Sequence, residues 1–324
     1  MPNSRTLLVG GLFVAIFAMV ALLVDTAFTR SIVHSQSLEP GRLARVVYGE
    51  DRDDYPIFGS SQGCANYIPT VLGDHYYNYC VKGASHSVVN MMLKYEIQNG
   101  SKSPIVVDMR QGTIAFIGDV RDLIPFARSP DMRSTIERNG VWRWYYDIPG
   151  LRYFGSYDWY LKGLLTEAAK RHGMSQLAGS RGGDRGYTND FAAPWSASEF
   201  RQIAMRRLRF TEKFGLKQQD QAELIALIKS APQRKFVLVL SPLNWSFLAH
   251  VANEAGLNRQ IAQWRALPNV TVVDWTRKRY PDEYFFDTGH LNRRGAGVFS
   301  QELRPVLDRA FATKASPQPS APTS

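Results

Sequence analysis

The chain has only two cysteines, Cys64 and Cys80, so it can hold at most one disulfide. Neither stands in a Cys-x-x-Cys pair or at a zinc-type spacing from histidine, and no metal or other cofactor is expected. The Gly-Lys-Ser/Thr order of a phosphate loop is also missing. The Gly-rich, basic stretch 179–186 therefore reads as a loop or lid. Helix-turn-helix, zinc-finger and RNP-like patterns are absent as well. With those excluded, the net charge of +10 points to an anionic neighbourhood, a membrane surface or an acidic polymer, and not to nucleic acid.

Charge is absent from one long run, Thr6 to Val24, which is rich in Leu, Val, Ala and Phe. At about 1.5 Å rise per residue this run nearly spans a bilayer core of about 30 Å. It is long for a signal peptide, and Val24-Asp25-Thr26-Ala27-Phe28 is a poor cleavage site. Residues 1–25 are expected to form a single uncleaved anchor. Arg5 and the amino terminus precede the run, so the positive-inside bias places the N-terminus in the cytoplasm and the rest outside the inner membrane. Residues 26–54 read either as a stalk or as a first helix of the fold.

From Tyr55 an α/β alternation begins. Strands are expected at 55–58, 75–81, 104–109, 235–240 and 270–274. Helices are expected near 65–72 and over 85–98, 196–214, 218–230, 246–266 and 296–312. The expected fold is α/β, a flavodoxin-like parallel sheet between helices, over residues 55–313. An aromatic-rich insertion, about 113–195, interrupts it with Trp142-Arg143-Trp144-Tyr145-Tyr146, Tyr153-Phe154 and Tyr157-Asp158-Trp159-Tyr160. Such rings fill cores and also stack on sugars. Residues 314–324, rich in Pro, Ser and Ala, read as a disordered tail. An exported domain permits a Cys64–Cys80 bridge, and neighbouring strands bring such a pair within range; bonded and free both remain open.

Two short stretches carry the chemistry. Tyr55-Pro-Ile-Phe-Gly-Ser-Ser-Gln-Gly-Cys64 reads as a strand ending in a sharp turn, which presents a Ser at the carboxyl edge of the sheet. A serine hydroxyl is a weak nucleophile and needs a base, itself oriented by a third group. Asp287 and His290, three apart in a Gly-containing loop, supply that pair. Asn244, at the end of a strand, is a further candidate for ligand contact.

Gly59-Ser60-Ser61, followed far downstream by Asp287-Thr288-Gly289-His290-Leu291-Asn292, resembles the first and last blocks of the SGNH (GDSL-like) hydrolase superfamily. The resemblance implies Ser61 as nucleophile and Asp287 and His290 as its partners. It implies backbone N–H groups of Ser61 and Gly83 as oxyanion donors. Ser60 stands where the family usually has Asp. The family's Gly-x-Asn-Asp block is replaced by Asp108-Met109-Arg110-Gln111-Gly112, so Arg110 or Gln111 would have to stand in for the missing Asn. The Gly-Ser-Ser form is similar to the membrane-anchored acyl-transfer branch, which includes the D-alanyl transfer protein and polysaccharide O-acetylation proteins. That likeness implies a polysaccharide or other surface polymer as substrate and a membrane-bound O-acyltransferase as partner. An extracytoplasmic carbohydrate esterase and a non-catalytic glycan-binding scaffold are the alternatives.

Overall fold

The computed structural model describes residues 4–35, 38–50, 53–109, 120–172, 184–187, 196, 198, 202, 215–248 and 253–312. Arg110, Gln111, most of the 179–186 and 196–214 stretches and the 314–324 tail lie outside them. The chain opens with α1 (Ser4–Val33) and α2 (Glu39–Tyr48). An alternation follows of β1 (Tyr55–Phe58), α3 (Ser61–Asn66), α4 (Pro69–Leu72), β2 (Tyr76–Asn78), α5 (His86–Gln98) and β3 (Ile105–Asp108). Two helices, α6 (Pro130–Arg138) and α7 (Tyr157–Arg171), interrupt it. It resumes with α8 (Gln218–Ser230), β4 (Phe236–Leu240), α9 (Trp245–Leu248), α10 (Glu254–Arg265), β5 (Val270–Asp274) and α11 (Arg293–Ala312). Two compact units result: residues 1–44 with 119–181, and residues 45–118 with 182–324.

The second unit holds a five-stranded, all-parallel sheet in the order β2-β1-β3-β4-β5. Every residue of β3 and β4 is buried, the terminal Asp108 of β3 included, as apolar runs require for a parallel strand covered on both faces. Alternate residues point to opposite faces. Ile57, Val106, Val237, Val239 and Val273 meet Tyr67, just after α3, and Leu72, Phe299, Leu303 and Leu307 from α4 and α11. Each such side chain contributes about 1.5–3 kcal/mol by leaving water. Helices α5 and α8 pack together and bury Val89, Met92, Leu224 and Ile228. One buried ion pair ties this region: the Arg234 guanidinium meets the Glu96 carboxylate and also donates to the Ser103 carbonyl at 2.6 Å.

Three of these elements differ from expectation. The helix expected near 65–72 is two, α3 and α4, separated by Tyr67 and Ile68 in extended conformation. Strand β2 ends at Asn78, whose Oδ1 accepts the Cys80 backbone N–H at 3.1 Å while its Nδ2 donates to the Gly63 and Tyr67 carbonyls. The expected helix over 246–266 is two helices, since Asn253 takes a left-handed φ of 67° just before α10. The end of the Gly-rich stretch forms a short turn, Asp184–Gly186, beside β2. A Cβ on Gly186 would meet the Asn78 carbonyl oxygen at 2.1 Å, so only glycine fits there.

In the first unit, α1 runs past residue 25 without a break, and α2 is helical too, so most of 26–48 is helix. The window of α1 apolar enough to cross a membrane is unburied, and its residues stay exposed from Leu7 to Val20. Burial begins at Asp25, whose carboxylate pairs with Arg152 at 3.1 Å and accepts from the Gly150 N–H. One turn on, Thr29 bonds the Tyr153 hydroxyl at 2.6 Å, and the Phe28 ring packs on Tyr153, Tyr157 and Tyr160. Burial and the Asp25 charge, against the favourable Thr29 and Arg152 contacts, push the Tyr153 phenol up to about 12. Three aromatics of the insertion, Tyr146, Tyr153 and Tyr160, are thus core, while Trp144 and Phe154 are exposed.

Candidate active site

The site lies at the carboxyl ends of β1 and β3. The chain leaves β1 for β2 on one side and returns to β3 on the other, so the strand order reverses between β1 and β3. Ligands of open α/β sheets bind at that reversal. Gly59 follows β1 where a Cβ would stand 2.8 Å from Asp108 Cβ, which explains the glycine before the two serines.

Ser60 and Ser61 are placed differently. Ser60 is the extended N-cap of α3 (φ −94°, ψ −151°), yet its side chain makes no capping bond and its buried hydroxyl has no partner. Ser61 opens α3, remains partly exposed, and its Oγ lies 2.8 Å from His290 Nε2. The expected nucleophile position is therefore the accessible one, and the turn is not held by the Ser60 hydroxyl.

His290 Nδ1 sits 2.9 Å from both Asp287 carboxylate oxygens. With Nδ1–H donating to the carboxylate, Nε2 is left to accept the Ser61 proton. The same loop fixes Asp287: its Oδ1 accepts the backbone N–H of Gly289 at 2.9 Å and of His290 at 2.8 Å. Phe286 N–H donates to the His290 carbonyl, and Phe285 bridges Leu291, closing the loop on itself. Both Asp287 and His290 are buried. Asn292 then caps α11 by accepting the Gly295 N–H at 3.0 Å.

Two residues not foreseen from the sequence lock the halves together. Gln62 Nε2 donates to the Gly289 carbonyl at 2.9 Å, and Asn66 Oδ1 accepts the Leu291 N–H at 3.0 Å. Both lie on α3, so the helix that starts with Ser61 also holds the loop that carries His290. Below them, buried Asp108 accepts the Tyr67 hydroxyl at 2.8 Å and the Ser241 hydroxyl at 2.6 Å. Burial and the Asp108 charge push the Tyr67 phenol well above its ordinary range. Asp108 and Ser241 stand at the ends of β3 and β4, and Tyr67 directly follows α3.

Cys64 and Cys80 are disulfide-bonded, Cα–Cα 5.2 Å, joining α3 to the segment after β2. Gly83 takes a φ of 71°, the left-handed region that suits glycine. Asn244 is buried and committed: its Nδ2 donates to Asp282 at 2.9 Å, and its Oδ1 accepts from Ser246. It braces the loop rather than facing a ligand. Among the described residues no group of three or more His, Cys, Asp and Glu stands where it could hold a metal. Comparison with known proteins finds no family model that matches the chain and no curated protein similar to it.

Proposed function

We propose that the chain is a membrane-anchored, extracytoplasmic serine acyltransferase that esterifies hydroxyls of a surface or exported polysaccharide. The observation that carries this is the continuous Ser61–His290–Asp287 relay, with spacings of 2.8 and 2.9 Å at the carboxyl edge of the sheet. The strand order 2-1-3-4-5, the order of flavodoxin-like doubly wound folds, supports the SGNH-type reading. The apolar face of α1 supports a single-pass anchor in the cytoplasmic membrane.

In this mechanism His290 Nε2 takes the Ser61 proton as Oγ attacks the acyl carbonyl. Asp287 stabilises the imidazolium that forms. The backbone N–H groups of Ser61 and Gly83 receive the developing oxyanion. His290 returns its proton to the leaving group, and an acyl-enzyme remains on Ser61. A sugar hydroxyl then attacks that ester, again through His290. A membrane-bound O-acyltransferase is the proposed acyl donor. The test is labelling by a fluorophosphonate probe together with polymer acylation in cells. The wild-type chain should be labelled at Ser61, and Ser61→Ala should lose both label and acylation. Wild-type acylation by Ser61→Ala would overturn the reading, and net ester removal from the polymer would make the chain an esterase.

A further inference from the structure

The first unit exposes an apolar surface that its own fold does not explain. Trp144 is 69% exposed, Phe154 65%, Leu151 42% and Ile148 37%. Trp144, Tyr145 and Phe154 form one run of rings, with Trp144–Tyr145 and Tyr145–Phe154 centroids both 5.8 Å apart. Their height along α1 is fixed by three contacts. A Cβ on Gly150 would stand 3.5 Å from the Ala21 side chain, and Gly150 N–H and Arg152 both reach Asp25. Ile148 and Leu151, which flank Gly150, therefore sit within about one helical turn of the last exposed apolar residues of α1, Leu22 to Val24.

A second exposed apolar pair, Leu161 and Leu165, is elsewhere. Tyr157 lies beside Phe28, while a Cβ on Gly163 would meet the Leu38 side chain and Glu167 bonds Ser35. Helix α7 thus climbs alongside α1 and away from its apolar end. The 144–154 surface continues the membrane-facing part of α1; Leu165 does not. Exposed cations accompany it. Arg143 precedes Trp144, and Arg30 follows Asp25 by five positions on α1. The one carboxylate within the segment, Asp147, is paired to Arg133 at 3.2 Å.

We propose that residues 144–154 are a second membrane contact: a loop whose Trp144, Ile148, Leu151 and Phe154 side chains enter the headgroup–acyl boundary of the leaflet from which α1 emerges. Aromatic side chains with adjacent cations favour that boundary, with the ring in the apolar layer and the cation at the phosphates. Asp25–Arg152 then marks the level at which the protein leaves lipid. The inference rests on the anchor, not on the Ser61 chemistry.

The experiment uses the full chain in vesicles of phosphatidylethanolamine and phosphatidylglycerol. Cysteine is introduced singly at Phe17, Trp144, Leu151, Phe154 or Leu165 and labelled with an environment-sensitive fluorophore; the native pair is bonded and takes no label. Labels at 144, 151 and 154 should emit at shorter wavelength than at 165. They should be quenched by lipid spin-labelled near the headgroup and shielded from aqueous iodide. The label at Phe17 should be quenched by lipid spin-labelled deep in the chain. Quenching at 17 alone, with 144, 151 and 154 as open to iodide as 165, would overturn the proposal. Shielding from iodide without lipid quenching would also overturn it, since a second copy would then be the cover. No lipid quenching at 17 would remove the anchor and the proposal together. As a check without new cysteines, the wild-type minus Trp144→Ala emission should be quenched by headgroup-proximal brominated lipid.

Discussion

Ser60 and Ser61 are chemically identical neighbours in opposite environments, one buried with an unpartnered hydroxyl and one partly exposed on His290 Nε2. Ser60→Ala removes a buried polar group that has no bond to lose, so its melting temperature should be equal or higher and its acyl transfer close to wild type. Acylation lost in Ser60→Ala and kept in Ser61→Ala would move the nucleophile by one position. Asp287→Asn keeps the loop but no longer holds Nδ1–H, so the acylation rate should fall by about 10⁴-fold while circular dichroism is unchanged. Gly59→Ala pushes a methyl against Asp108 and should cost about 1–3 kcal/mol in urea unfolding. The relay was legible because its parts are local: a Gly-Ser-Ser turn after an apolar strand, and an Asp-x-x-His spacing that one loop can close. Gln62 and Asn66 were not, because their partners lie 227 and 225 residues away and nothing in the chain near them signals the pairing.

Helix α3 is six residues long and is too short to be stable on its own propensity. It is held by the Cys64–Cys80 bond, by Gln62 and Asn66, and by Tyr67 in the core behind it. The disulfide closes a short loop, sequence separation 16. Closing a loop of that size contributes about 3 kcal/mol by restricting the unfolded chain. Cys64→Ser with Cys80→Ser should therefore lower the melting temperature, and reductant should do the same to the wild type but not to the double variant. An unchanged wild-type melt in strong reductant would contradict the bridge. Strands β3 and β4 were readable almost to the residue, because buried parallel strands are largely apolar runs, and β5 was readable from its β-branched Val-Thr-Val-Val although only Val273 of it is buried. The apolar pattern does not itself carry the strand order, which depends on where each crossover lands. Asp25 closes the apolar run in sequence, while α1 continues to Val33 and Asp25 pairs with Arg152, 127 positions on, which nothing near it in the chain signals.

At the scale of the molecule, the Ser61–His290–Asp287 relay and the apolar stretch of α1 belong to separate compact units, so the proposed chemistry and the proposed anchor can each be tested without the other. Topology is the simplest case: a reporter active only after export, fused after Ala312, should be active, and cytoplasmic reporter activity there would reverse the orientation. The Asp25–Arg152 pair gives the sharper test. Both side chains are at most 3% exposed, at the level where α1 leaves its apolar run. Arg152→Met leaves a buried carboxylate without its counter-charge, a loss of about 3–5 kcal/mol where burial is this complete. The damage should stay in the first unit. Limited proteolysis of the full chain in detergent should cut within 119–181, while the fluorophosphonate still labels Ser61. Adding Asp25→Leu removes the stranded charge and fills the space with an apolar group, so the double variant should recover protease resistance. Arg152→Met as resistant as wild type would mean that Asp25 reaches water and the pair does not hold the unit. Loss of Ser61 labelling in step with proteolysis would mean that the relay depends on the first unit being folded.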